Sequence, residues 1–234
     1  MAELGGSIYY EEYTGEEEAW TPPEYAELIK LKKLKETVEP VRPEYREYET
    51  LKKPKKTLVI DIETTGTDIT TSRLVAIGFL DADSEELKPN IIWAKRPQDE
   101  EEAINKFIDM FEGNGYEVFV GYNADFDYRF LIMLCMKYRI RAPNFFAAQV
   151  DDVMNMLTTG KMTYVHSRNK DNKLDEWGNL LLGVPKEGSM DEYFAALKDS
   201  NWDWIEKYNN RDVLLTWMLY NLYFACAGMK EIKS

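Results

Sequence analysis

Two carboxylates stand one residue apart at Asp61-Ile-Glu63, directly after the apolar run Leu58-Val59-Ile60 and directly before Thr64-Thr65-Gly66. The run is short, β-branched and followed by a turn signal, so it reads as a buried strand. Residues i and i+2 of a strand face the same side, which aims Asp61 and Glu63 together. Like charges at the end of a buried strand repel and need compensation. A hard divalent cation supplies it, taking oxygen ligands and keeping waters or substrate phosphates in its shell. A salt-bridged pair at a strand edge is the plainer reading of Asp-x-Glu alone.

Two further groups bear on that choice. Asn123-Ala-Asp-Phe-Asp127 follows the apolar run that ends near Gly121. An acid at the carboxyl end of a strand can face the same crevice as Asp61 and Glu63. Taken alone, Asp127 reads equally as a helix cap or as a ligand. Tyr208-Asn-Asn-Arg-Asp212 lies in a helical pattern. Spacing i, i+4 puts the phenol and the carboxylate on one face, and a surface Tyr–Asp pair is the plainer reading.

Together these segments resemble the three exonuclease motifs of the DEDD superfamily of 3′–5′ exonucleases. Asp61-Ile-Glu63-Thr-Thr-Gly matches the first, Asn123-x-x-Phe126-Asp127 the second and Tyr208-x-x-x-Asp212 the third, in the same order along the chain. Leu174-Asp175 and Leu181-Leu182-Gly183 also look like the helix before the third motif in polymerase-associated members. The resemblance covers about residues 57–228. A Tyr four residues before the last Asp, with Lys at 207 and the single His166 elsewhere, implies the Tyr branch. That branch includes polymerase proofreading domains and RNase D-like RNA nucleases.

The resemblance implies two divalent metal ions, Mg²⁺ or Mn²⁺, held by Asp61, Glu63, Asp127 and Asp212. Asp61 would bridge both ions, Glu63 and Asp212 would help hold the nucleophile-side ion, and Asp127 would serve the other. Tyr208 would orient the attacking water rather than deprotonate it, since a free phenol has a pKa of about 10. More loosely, Thr64, Thr65 and Gly66 would lie near the terminal nucleotide, with Asn123 and Phe126 beside the penultimate base. Aromatic stacking suits a frayed single strand, because every base has a π face.

The elements that must position these residues are legible in outline. Strands are expected over Thr57–Ile62, Arg73–Leu80 and Ile91–Ala94, joined by short connections as an antiparallel meander. A helical stripe of Ile104, Phe107, Ile108 and Phe111 follows an acidic first turn. Glu117–Gly121 reads as a buried strand, Asp127–Tyr138 as a helix, and Ala148–Val150 as a short strand before a helix opened and capped by Asp151 and Asp152. Leu174–Leu182, Met190–Leu197 and a long segment from Trp202 or Tyr208 to Ala227 complete the helices. Trp177, Trp202, Trp204 and Trp217 lie in helical patterns and read as core. The expected fold class is α/β: a ribonuclease H-like mixed five-stranded sheet with helices on both faces.

Composition bounds the function. At 234 residues with 44% hydrophobic content, the chain can bury one sizeable core plus an appendage. No apolar stretch approaches membrane length and no signal peptide is visible, which points to a cytoplasmic protein without a membrane partner. Cys135 and Cys226 sit in apolar helical patterns and read as buried free thiols. The net charge of −13 excludes a protein that coats duplex DNA through counterion release. An enzyme that grips only the last nucleotides escapes that objection.

Residues 1–56 differ in texture, rich in Glu and Tyr and punctuated by prolines. They are expected to be an extension, disordered or laid along a partner or the core, with one possible helix from Pro23 to Val38. Residues 57–234 are expected to form the exonuclease domain. Lys161–Lys173 is the most basic stretch of that domain, read as a solvated loop first and a strand contact second. The expected activity is 3′–5′ exodeoxyribonuclease on a single-stranded DNA 3′ end, in repair or proofreading for a separate DNA polymerase docked through residues 1–56. The alternatives are an RNase D-like RNA exonuclease and a non-catalytic scaffold of a replication complex.

Overall fold

The computed structural model describes residues 55–159, 173–185 and 187–226. The expected helix at 23–38 and the basic stretch beyond Lys161, apart from Lys173, lie outside them.

Five strands form one sheet in the order β3-β2-β1-β4-β5. β1 (Thr57–Thr64) is central, pairing antiparallel with β2 (Leu74–Asp81) and parallel with β4 (Val118–Gly121). β3 (Asn90–Trp93) closes the antiparallel edge, and β5 (Gln149–Asp152) runs parallel to β4 on the other. The meander and the mixed sheet are therefore as the sequence predicts. The β1–β2 register slips between Glu63 and Thr64, where Thr64 pairs with Leu74 and Val75 is left over. Such a bulge bends the strand and re-aims side chains, and it falls where β1 carries its acids.

Strand alternation divides the core. Leu58, Ile60 and Ile62 point to one face, packing with α1 (Glu100–Asn114), α2 (Ala124–Tyr138) and the short α3 (Pro143–Phe146). Phe107, Phe111, Phe119, Phe130 and Phe145 are fully buried there. Burying each such ring contributes roughly 1.5–3 kcal/mol relative to exposure. Val59 points to the other face, onto α7 (Trp202–Cys226), alongside Val213, Leu214, Trp217 and Met218. α4 (Val153–Thr159), α5 (Leu174–Leu182) and α6 (Met190–Lys198) lie between β5 and α7 in the sequence. The parity that sends Val59 to α7 sends Asp61 and Glu63 there as well.

Several local expectations change. α2 begins at Ala124, three residues before the expected start, because Asn123 takes a left-handed φ of 58° and turns the chain into the helix at once. Asp151 and Asp152 belong to β5 rather than to the helix after it. Asp152 does cap α4, accepting the N–H groups of Met154 and Asn155 and also that of Asn123. Asp151 is not a cap; it accepts Tyr220 Oη at 2.9 Å. Cys135 is buried, but Cys226, the last residue of α7, is exposed. Trp217 is core, whereas Trp204 is half-buried and stacks on Tyr208.

Among the described residues no helix is long and apolar enough to cross a membrane.

Candidate active site

The site lies where β1 ends, α2 begins and α7 crosses. β1 supplies Asp61 and Glu63 from adjacent same-face positions. Their shared face is visible in a common partner: Asn209 Nδ2 donates to Asp61 Oδ2 at 2.7 Å, to the Asp61 carbonyl at 3.2 Å and toward Glu63 Oε1 at 3.5 Å. Asp127 comes from the first turn of α2, one residue after Phe126. Its Oδ1 accepts the backbone N–H of Ile62, between the two β1 acids, at 2.9 Å. The carboxylate thus serves the neighbouring strand. Asp212 lies one turn after Tyr208 on α7, and its Oδ1 accepts from Arg211 at 3.2 Å.

The four acids feel one another. Burial raises the Asp61 carboxyl well above its ordinary value, and the charge of Asp127 adds to it. Burial does the same to Glu63, with Asp61 and Asp212 adding to it. Asp212 is raised by burial and by Asp61, against the opposing pull of Arg211. Burial pushes Asp127 up to about 7, against the hydrogen bond from Ile62. A set of buried carboxyls raised in concert is a set short of positive charge.

Arg211 meets only part of that need. It is 4% exposed, and besides Asp212 it donates to Asp175 Oδ1 of α5 at 2.6 Å and to the Pro185 carbonyl at 2.8 Å. It therefore neutralises Asp212 and Asp175 from one side and pins α5 to α7.

The donor chemistry, oxygen only and strongly anionic, fits a hard divalent cation. Among the described residues, however, no three acidic, imidazole or thiol side chains are gathered closely enough to hold a metal ion. The physical reason is in the hydrogen bonds: Asp61 and Glu63 lean on Asn209, Asp127 on Ile62 and Asp212 on Arg211. Each carboxylate rests on a protein donor.

Tyr208 stacks with two rings, Trp204 5.1 Å away at 11° and Tyr193 6.1 Å away at 30°. Burial, then Asp212, Glu63 and Asp61, raise its phenol far above the ordinary value. The hydroxyl therefore stays protonated at neutral pH and can orient a water but not deprotonate it. Gly188 covers the stack at φ 80°, and a β-carbon there would sit 2.8 Å from Tyr208 Cδ2. Tyr193 is fixed in turn by donating to the Thr64 carbonyl at 2.9 Å.

The remaining expected residues are occupied by local partners. The Thr64 hydroxyl donates to the Gly66 carbonyl at 2.7 Å, and Thr65 Oγ1 accepts the Arg73 N–H at 3.0 Å. Gly66 lies where a β-carbon would meet Ser72 Oγ at 2.9 Å. These contacts shape the turn after β1 beside the acids. Asn123 is exposed at the entrance to α2, and Phe126 is half-buried against Phe130, ring centroids 5.8 Å apart. Sequence reasoning missed Asn209, Arg211, Gly78, Gly188 and Tyr193. Of these only Arg211, adjacent to Asp212, carried any local signal.

Comparison with known proteins gives three findings. The chain is 26% identical over 186 residues to Uncharacterized protein MJ0365 of Methanocaldococcus jannaschii, covering 74% of this chain and 98% of that one. Its fold is similar to part of the family B DNA polymerase from the hyperthermophilic archaeon Pyrobaculum calidifontis, with a TM-score of 0.51 and 15% identity. That match covers 74% of this chain but only 25% of the polymerase. Residues 58–224 match the RNase_H_2 family, and with that match running from β1 to the last turns of α7 the chain belongs to the RNase H superfamily.

Proposed function

We propose that the protein is a metal-dependent 3′–5′ exonuclease of the DEDD type, Tyr branch, removing nucleotides from single-stranded or frayed DNA ends. The observation that carries this reading is that Asn209 donates to Asp61 and toward Glu63 while Asp127 accepts the Ile62 N–H between them, with Asp212 near enough for its charge to act on Glu63. Tyr208, one turn before Asp212, is immobilised beside it.

Two divalent cations, Mg²⁺ or Mn²⁺, would be held by Asp61, Glu63, Asp127 and Asp212, and when bound would neutralise the developing phosphoryl charge and activate water. The protein's own residues do the rest. Tyr208 orients the attacking water through a protonated phenol. Arg211 aims Asp212 and opposes the rise of its carboxyl, sharing its positive charge with it and Asp175. The turn Thr64–Gly66 shapes the floor under the terminal nucleotide, and Phe126 offers a supported ring to the next base, with Asn123 beside it. The net charge of −13 gives little non-specific attraction to DNA, which favours delivery of ends by a partner. The likeness to one quarter of a DNA polymerase supports proofreading in trans or repair, with residues 1–56 as the docking arm.

The test is degradation of 3′-labelled and 5′-labelled single-stranded DNA with Mg²⁺ or Mn²⁺, beside Asp61→Ala and an EDTA control. Stepwise loss from the 3′ end, absent from both controls, is expected. Inert DNA with degraded RNA of the same sequence would move the substrate to RNA. Inertness of both would overturn the catalytic reading. Removal of residues 1–56 should leave hydrolysis of short oligonucleotides intact and abolish polymerase association; retained association would remove the docking role.

A further inference from the structure

We infer that Asn209 is a positioning residue for the candidate metal ligands, holding Asp61 and Glu63 side by side through one amide seated in a slot that only glycine at position 78 leaves open. The inference deepens the catalytic reading and rests on it.

Asn209 is fully buried on α7, next to Tyr208 but turned about 100° further round the helix, toward β1. Its Nδ2 donates to Asp61 Oδ2 and toward Glu63 Oε1, and to the carbonyl of Asp61 as well. The orientation of the amide follows from its neighbours. The nitrogen points at the two acids, where it gives each a donor; turned over, the amide oxygen would face two ionised carboxylates with no hydrogen to offer it.

The opposite end of the same side chain meets β2. Asn209 Oδ1 has no hydrogen-bond partner among the described residues. A β-carbon at Gly78 would lie 1.7 Å from that oxygen and 2.6 Å from Asn209 Cγ. Gly78 pairs with Asp61 across the β1–β2 ladder. The residue opposite the first acid is thus the one whose missing side chain admits the amide. A glycine inside a strand and an orphaned buried carbonyl both work against stability. They coincide at a side chain that reaches both β1 acids, which is what a placement serving the site requires rather than one serving the core.

The amide contacts Asp61 Oδ2 and Glu63 Oε1, one oxygen of each acid. Asn209 therefore occupies one oxygen of each acid, keeps the pair together in the absence of a cation, and presents the other two oxygens as ligands.

The test is Mn²⁺ binding by isothermal titration calorimetry on the full chain, with melting temperature recorded for each variant. Asn209→Ala should raise the Mn²⁺ dissociation constant at least tenfold, within the roughly 10–100-fold expected when a side chain that orients metal ligands is removed. Gly78→Ala, which displaces the amide without altering it, should do the same. The double variant should be no worse than Asn209→Ala, because the space is then free. Additive losses, or a folded Asn209→Ala that binds Mn²⁺ as the parent does, would overturn the inference. Variants that do not fold leave the parent to decide it: the Asn209 side-chain amide resonances, recognised by their proximity to Gly78, should shift with Mg²⁺ addition. Resonances that stay still while the metal binds would overturn it. A parent that binds no divalent ion would overturn the catalytic reading and this inference together.

Discussion

The carboxylate of Asp127 and the backbone N–H of Ile62, 65 positions apart in the chain, are joined by a buried hydrogen bond of 2.9 Å. The bond sets the first turn of α2 against the peptide that links Asp61 to Glu63. One acid of the site is thereby registered against the other two by main chain rather than by side-chain packing.

This arrangement separates charge from geometry at position 127. Asp127→Asn keeps an acceptor for Ile62 and removes one of four mutually repelling charges. Metal-free Asp127→Asn should melt at or above the parent's temperature at pH 8, measured by calorimetry in EDTA. Asp127→Ala strands a buried N–H at a cost of about 1–3 kcal/mol and should melt lower. Both should lose nuclease activity by a factor on the order of 100 or more, the scale expected when a preorganised electrostatic partner is deleted.

The raised carboxyls make stability depend on pH in a defined direction. Asp127, pushed up to about 7 by burial, holds a proton in the folded state over a range where the unfolded chain has released it. Folding is then favoured at low pH, and this contribution is lost as pH rises from about 4 toward 7. In EDTA, the parent should lose melting temperature relative to Asp127→Asn across that window. Mg²⁺ should reverse the loss above pH 7 and bind more weakly below it, because its ligands must be deprotonated. Parallel melting curves for the two proteins between pH 4 and 7 would contradict this.

Tyr208 should tolerate loss of its hydroxyl without loss of fold. Tyr208→Phe preserves the stacking with Trp204 and Tyr193, and its melting temperature should stay within the change expected for about 0.5 kcal/mol. Its kcat should fall at least tenfold with KM little changed, as for a group that acts on the water rather than on substrate binding. A parallel rise in KM would place the phenol against the nucleic acid instead.

Gly188 provides a remote test of the same ring. An alanine there would have to hold φ near 80° and place its methyl against Tyr208. The backbone strain alone is about 1–2 kcal/mol. Gly188→Ala should lower the melting temperature by several degrees and reduce kcat, and Tyr208→Phe in the same background should cost less in kcat than it does alone.

The architecture was legible where the signal is local. β1, β2 and β3 announce themselves by short apolar runs and turns, and α5 was bounded correctly by its periodicity and by Gly183. The start of α2 was not, because a left-handed Asn123 is a decision taken by tertiary contacts, including the Asp152 carboxylate that accepts its N–H. The candidate site divides in the same way. Asp61 with Glu63, and Tyr208 with Asp212, follow from strand and helix periods. Asn209 occupies a position beside Tyr208 that a helical repeat assigns to another face, and only the crossing of α7 over β1 turns that face into the site. Gly78 carries no signal without knowledge of its partner across the ladder.

The distance in sequence between the site's two halves has a consequence for biosynthesis. Asn209 reaches Asp61 across 148 positions, on the far side of nearly the whole domain. While the chain leaves the ribosome, the β1–β2–β3 hairpins can form early, with Asp61 and Glu63 still in water and unopposed by Asp212. Asp127 can join them once α2 docks, and the fourth charge, Asp212, is added only when α7 emerges and closes over Val59. The nascent domain therefore gathers at most three of the four acids, and the cost of adding the last falls on the docking of α7, when the core between the sheet, α1 and α2 can already be in place.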